Sequence, residues 1–390
     1  MDLLDINKAE VVSELNEAPR ILQELLNNAG IKVNGNNSCD IQVHDARTYD
    51  QILSKWSLGL GESYVNGYWD CERLDEMLNR LLKVDLNMAV HGRAKFRLLA
   101  EIARAKLFNL QSTKRAFQVG ERHYDAGNDI FKSILDSRMI YSCAYWEFAQ
   151  NLEQAQTHKL ELICRKLELK KGERLLDIGC GWGGLAAYAA THFGVSVVGI
   201  TVSKEQQKIA QERCQGLPVE IKLIDYRKLE GKFNKIVSVG MFEHVGEKNY
   251  RDYCQTASRL LEDQGLFLLH TIGSDVRIAR TDPWIDRYIF PNGKIPCASE
   301  LSTALEGLFL IEDWHNFGCD YDRTLMEWYR RLESHWPTLS QHYSERFYRT
   351  WKFYLLGCAA YFRSKQGQLW QLVLSKRSKD GPYRSFRLSR

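Results

Sequence analysis

The period of apolar and polar positions changes along this chain, and the changes mark its elements. From residue 173 onward, short apolar runs bounded by turn residues alternate with stretches whose apolar positions recur every three or four residues. The runs predict strands over 174–178, 195–200, 219–224, 235–239 and 265–271, with helices over 183–192, 203–215 and 248–262 between them. Ser203 stands where an N-cap is expected, and Glu205 supplies an acid in the first turn. Strand and helix in alternation predict an α/β fold, a mostly parallel sheet with helices on both faces. Residues 1–90 read as a small α+β domain. In it 20–26 is helical, 30–35 is a short strand and turn, and 57–64 is a packed loop punctuated by glycine. Between these parts, Phe96, Leu99, Ile102, Ala103, Leu107 and Leu110 mark an amphipathic helix within 91–116. The expected plan is therefore 1–90, a linker helix over 91–116, and a main domain over 117–390.

Composition narrows the class. At 390 residues, with 44% apolar residues and ten tryptophans, the chain can fill two cores. No stretch approaches the ~20 consecutive apolar residues of a membrane-spanning helix. Met1-Asp2-Leu3-Leu4-Asp5 carries acid where a signal peptide carries base. Ten cysteines are scattered without a Cys-x-x-Cys pair, which favours a reducing cytoplasm over a disulfide framework or a metal site. The net charge of +4 conceals an asymmetry: residues 1–90 are acidic and the rest is basic. Seven bases against one acid lie in 91–116, and six against one in the tail 376–390. A basic amphipathic helix suits either an anionic lipid surface or an ordinary linker with solvated bases. Neither basic stretch has a finger, RNP or helix-turn-helix signature, so nucleic acid is not expected.

The chemistry starts at the first predicted strand. It ends in Asp177 and runs into Gly179-Cys180-Gly181-Trp182-Gly183-Gly184, a glycine-rich turn that opens a helix. Backbone without Cβ atoms lets a ligand approach closely, and the helix N-terminus favours a negative group. The spacing fits a dinucleotide turn as well, but no Lys-Ser/Thr follows, which removes the P-loop. Asp177 tilts the reading toward S-adenosylmethionine (SAM). In a sheet of this kind ligands lie at the carboxyl ends of the strands. That end gathers the glycine turn, Thr201, Asp225-Tyr226-Arg227 and Glu243-His244. The second strand ends in Thr201 rather than in the acid that usually holds ribose hydroxyls, with Gln206 close behind.

Five motifs then occur in order: Tyr141-Ser142-Cys143-Ala144-Tyr145-Trp146, the glycine turn, Thr201-Val202-Ser203-Lys204-Glu205-Gln206, Gly240-Met241-Phe242-Glu243-His244-Val245-Gly246 and Leu269-His270-Thr271-Ile272-Gly273. Together they resemble the bacterial cyclopropane-fatty-acyl-phospholipid synthases, relatives of the mycolic acid cyclopropane synthases. The resemblance extends through Asp313-Trp314-His315-Asn316-Phe317-Gly318 and back to 57–64.

The resemblance implies a Rossmann-like class I SAM-dependent methyltransferase core. It implies transfer of a methylene from SAM to a cis double bond of an acyl chain in a membrane phospholipid. Methyl transfer to an alkene leaves a carbocation, and the ring closes when a base removes a proton. In similar enzymes that base is bound bicarbonate. By motif match its holders here are Cys143 and Ile272 through their backbones, and Glu243, His270 and Tyr321 through their side chains. The SAM cradle maps to Tyr141, Ser142, Asp177, Gly179, Cys180, Gly181, Gly183, Thr201, Gln206, Tyr226 and Arg227. Tyr141, Phe242, Tyr288, Phe317 and Tyr321 are candidates for cation–π stabilisation. No metal is expected. The resemblance also implies a cytoplasmic homodimer attached peripherally to the inner face of the membrane. Two rival readings stay open: a methyltransferase of the same fold that leaves a branch or methylates an amine, and a membrane-surface protein without catalysis.

Overall fold

Glycines that read as loop punctuation belong instead to a helix, Ser57–Val65. A Cβ at Gly59 would lie 1.9 Å from the Gln51 carbonyl oxygen, and one at Gly61 would lie 2.3 Å from the Trp284 indole. The missing side chains let another helix backbone and a large ring come close, a packing role that outweighs the usual helix cost of glycine. The computed structural model describes residues 15, 18–84 and 127–388. The basic segment 91–116 and the expected boundaries on either side of it lie outside the described residues.

The described residues form two compact units that interleave along the chain, unlike a division in chain order. One unit draws on 18–84, 282–291 and 333–366. It contains an antiparallel pair, β1 (Gln42–Val43) and β2 (Trp69–Asp70), and helices that include Arg20–Asn28, Arg47–Lys55, Leu74–Lys83 and Glu345–Arg363. Where 30–35 was expected to hold a strand, Val33 makes only an isolated bridge to Ile41, and the Asp40 carboxylate accepts from the Lys32 and Asn37 backbone N–H groups. Arg349 donates to the carbonyls of Tyr64 and Trp69 at 2.7 and 2.9 Å, and Arg363 reaches Asp75 at 2.6 Å. The late helix is thereby tied to early sequence.

The other unit, from 127–281, 292–332 and 367–388, is built on a seven-stranded sheet. Its strands are β3 (Arg174–Ile178), β4 (Ser196–Thr201), β5 (Val219–Leu223), β6 (Phe233–Val239), β7 (Leu261–Gly273), β8 (Leu310–Asn316) and β9 (Gln368–Ser375). Their order is β5-β4-β3-β6-β7-β9-β8, with β3 to β7 parallel and β9 antiparallel to both β7 and β8. In β3 and β4 residues on both faces are buried, which is why these strands read as near-continuous apolar runs, whereas edge strands β5 and β8 are partly exposed. Leu176, Val198, Phe267 and Leu372 enter one core; Leu175, Val197, Leu268 and Val373 enter the other. Each such side chain contributes roughly 1.5–3 kcal/mol. Ser203 caps the helix Lys204–Arg213 by accepting from the Gln206 N–H. The strand order reverses between β3 and β6, so the crevice at their carboxyl ends, beside the end of β4, is the switch point where such sheets bind ligands.

Two bases of the tail, Lys376 and Arg387, are held within this unit, while Arg377 and Arg384 are exposed. Arg387 forks onto Asp313 at 2.8 Å, Lys376 reaches the Leu261 carbonyl and Asp263, and Phe386 and Leu388 pack beside Tyr145 and Cys143. Among the described residues, no helix is long and apolar enough to cross a membrane.

Candidate active site

The glycine turn is shaped to receive a ligand. Gly179, Gly181 and Gly183 all take positive φ, at +83°, +54° and +78°. A Cβ at Gly181 would meet nothing within 4 Å, so space stands open above its backbone. Gly183 begins the helix Gly184–Phe193, and no side chain caps that end. Asp177 is buried, and its Oδ2 has no hydrogen-bond partner among the described residues. Burial raises its pKa to about 7, against the opposing pull of Lys159. At the end of β4, the Thr201 hydroxyl donates to Gln206 Oε1 at 2.9 Å. This hydroxyl–amide pair occupies the place where an acid is usual. Asp225 receives the Arg227 guanidinium at 2.8 and 2.7 Å, and Tyr226 packs edge-on against Tyr253. The side chains of Tyr226 and Arg227 are thus already engaged.

A helix behind the crevice holds the Tyr141–Cys143 loop. Within Leu152–Lys166, Gln156 Nε2 donates to the Ser142 carbonyl at 3.0 Å and Lys159 Nζ donates to the Ser142 hydroxyl at 2.8 Å. Burial draws Lys159 down to about 8 while Asp136 and Asp177 pull upward. Neither residue was singled out in the sequence. The signal was present as Gln156, Lys159 and Lys166, polar residues at helical spacing among Ala155, Leu160, Ile163 and Cys164. Downstream, the Ala144 N–H and Trp146 indole both donate to the Thr324 hydroxyl at 3.1 and 2.9 Å. These bonds fasten the loop to the helix that carries Tyr321.

Cys143 is fully buried, and burial pushes its thiol well above the ordinary range, so it is no nucleophile. It packs in one cluster with Tyr145, Phe317, Ile272 and Tyr321. Glu243 lies in the turn Phe242–His244, and its Oε1 accepts from the Ile272 N–H at 2.6 Å. The Ile272 N–H is therefore committed to Glu243. Burial raises Glu243 to about 7, and its Oε2 finds no partner among the described residues. His270 is buried at the end of β7, with Nδ1 facing Gln371 and Nε2 unpartnered among the described residues. Burial, then Lys159, Lys166 and His315, depress its pKa well below the usual value, so the ring is neutral. Two unmatched polar atoms beside an apolar cluster are costly without a polar guest, and they fit a small anion that also carries an O–H.

The cation–π candidates divide. Tyr141 touches Phe131 and Trp328, Tyr321 faces Trp328, and Phe317 lies edge-on to His270. Phe242 is instead stacked on Tyr250 inside the core, and Tyr288 belongs to the other unit, where it bonds Glu62. Among the described residues, no cluster could hold a metal ion.

The parallel sheet with its reversal between β3 and β6 and the glycine turn at its carboxyl edge define a class I SAM-dependent methyltransferase. Residues 111–372 match the family described as mycolic acid cyclopropane synthetase. The chain is 53% identical over 363 residues to the cyclopropane-fatty-acyl-phospholipid synthase of Escherichia coli K12, covering 93% of this chain and 94% of that one. Among solved structures, the cyclopropane synthase MmaA2 from Mycobacterium tuberculosis superposes with TM-score 0.63 at 32% identity, over 67% of this chain and 98% of the other. The mycolic acid cyclopropane synthase CmaA1, complexed with SAH and CTAB, superposes with TM-score 0.62 at 30% identity, over 67% and 98%. The chain belongs to the cyclopropane synthase family and is a SAM-dependent enzyme.

Proposed function

We propose that this enzyme adds a methylene across the cis double bond of acyl chains in membrane phospholipids, closing a cyclopropane ring. The observation that carries this reading is the pair of buried, unmatched atoms, Glu243 Oε2 and His270 Nε2, beside the cluster of Cys143, Ile272 and Tyr321. SAM, when bound, supplies the methyl carbon, and bicarbonate, when bound, supplies the base.

The chain's own residues hold and orient. The cradle comprises Tyr141, Ser142, Asp177, Gly179, Cys180, Gly181, Gly183, Thr201, Gln206, Tyr226 and Arg227. Tyr226 and Arg227 shape it through their backbone and their bonds to neighbours rather than through free side chains. An alkene is a weak nucleophile, so holding the reactants in line supplies much of the rate, up to about 7–11 kcal/mol in favourable cases. Glu243 accepts the O–H of the anion, while His270 and Tyr321 donate to it. Ile272 acts through its N–H, which fixes the Glu243 carboxylate, and Cys143 through its backbone. Phe317 and Tyr145 exclude water, which would otherwise trap the carbocation. Lys376 and Arg387 of the tail are held on their own unit. The seven bases of 91–116 outnumber the exposed Arg377 and Arg384 and are the better membrane contact, and attachment is peripheral. The homodimer rests on resemblance alone; sedimentation equilibrium tests it.

The test uses vesicles of cis-unsaturated phosphatidylglycerol with SAM, with and without added bicarbonate. Turnover should depend on bicarbonate, and Glu243→Gln should lower kcat by about 100-fold or more while SAM still binds. Full turnover without bicarbonate, or an active Glu243→Gln enzyme, would contradict the base-site reading.

A further inference from the structure

Three strands set polar residues in a single row beneath the helix Leu152–Lys166. His270 on β7 stands opposite Gln371 on β9, and Gln371 stands opposite His315 on β8. Side chains alternate along a strand, so His270 shares a face with Leu268, and Gln371 shares that face with Val373. Both apolar neighbours pack with Leu160 and Ile163 of the helix. A row of polar groups is thus embedded in an apolar layer, where each must be matched or used.

The row is anchored at its far end. Lys166 Nζ lies 3.1 Å from Asp313 and 3.1 Å from His315 Nδ1. An ammonium can only donate, so His315 Nδ1 accepts and its proton resides on Nε2. At the near end, Gln371 Nε2 stands 3.2 Å from His270 Nδ1. An amide NH₂ likewise only donates. The His270 ring is neutral and carries one proton, which the amide directs to Nε2, the atom that has no partner among the described residues. The opposite amide orientation would move that proton to Nδ1. A bare lone pair on Nε2 would then share the site with the unmatched Glu243 Oε2, and two acceptors do not hold an anion.

Resting on the base-site reading above, we infer that Gln371 is a positioning residue: its side-chain amide fixes His270 as the Nε2–H tautomer, so that the imidazole presents a donor to the anion. Gln371 touches neither SAM nor lipid in this role. It acts through His270.

The test is ¹⁵N NMR of full-length protein labelled at histidine, with the His270 signals assigned by their loss in His270→Gln. The native enzyme should show a protonated Nε2 and a bare Nδ1, and this measurement needs no variant at Gln371. In Gln371→Glu the carboxylate accepts from Nδ1–H, so the tautomer should invert, and kcat should fall roughly 100-fold with KM for SAM little changed. A native Nδ1–H ring, or a Gln371→Glu ring that keeps its proton on Nε2, would overturn the inference. Bicarbonate titration separates the two readings. A shift of the Nε2–H proton supports both. No shift, with the Nε2–H tautomer intact in the native enzyme and inverted in Gln371→Glu, rejects the base-site reading while Gln371 retains its effect on the ring.

Discussion

Single residues carry most of the chemistry, and two give sharp expectations. Glu243 is held at about 7 by burial against an ordinary value of 4.5. Between those values the native state keeps a proton that the unfolded state has released, so stability falls as pH rises through the window. The penalty is complete above pH 7. Glu243→Gln removes it, so the variant should gain about 3 kcal/mol over the native enzyme at pH 8 and little at pH 4.5. Urea denaturation at both pH values checks this, and a gap independent of pH would contradict it. A carboxyl kept at a cost to stability is what a functional position looks like. Gly181 is the second case. At φ +54° with open space above it, alanine should cost only about 1–2 kcal/mol of stability. Its methyl would intrude where SAM is proposed to lie, so calorimetry should show SAM affinity down at least about tenfold. Unchanged affinity would move the cradle elsewhere.

At the scale of elements, the parallel half of the sheet was legible. Strands β3, β4 and β7 carry apolar runs, β5 alternates apolar and polar residues at its edge, and each runs into glycine or a capping residue. The strand expected over 195–200 is found at Ser196–Thr201, and the helix expected over 183–192 at Gly184–Phe193. Two kinds of element were not legible. The helix Ser57–Val65 hides behind glycines whose reason is a neighbour's backbone and an indole far along the chain. Gly59→Ala should therefore destabilise the protein by about 1–3 kcal/mol through overpacking, where propensity alone would favour alanine. Thermal unfolding reads the sign. The polar row of His270, Gln371 and His315 could not be seen either, because strand pairing sets it and local pattern does not. Its anchor is testable. Asp313 is held at about 2, burial being outweighed by Arg387 and Lys166, so its contribution is full above pH 3.8 and lost as pH falls through 2. Asp313→Asn leaves Lys166 buried without a counter-charge and should cost about 3 kcal/mol at neutral pH, read by denaturant unfolding. A change under about 0.5 kcal/mol would show that Arg387 and Lys166 are satisfied elsewhere.

For the whole molecule, the ordered motifs pointed to the family before any fold was known, but not to the interleaving of the units. The helix Glu345–Arg363 joins early sequence through Arg349 and Arg363, contacts with no local signature. Membrane attachment belongs to this scale as well. Binding to anionic vesicles should weaken steeply between low and high salt, and neutralising Arg93, Lys95, Arg97, Arg104 and Lys106 should abolish that dependence. Binding indifferent to both would remove 91–116 from the membrane contact. The measurement that tests the central claim most directly is proton NMR and mass spectrometry of cis-unsaturated phospholipid recovered after incubation with enzyme, SAM and bicarbonate. The account predicts a gain of one methylene unit, loss of the vinyl protons and the appearance of upfield ring protons. A methylene gain without ring protons, or an unaltered lipid with SAM bound, would contradict it.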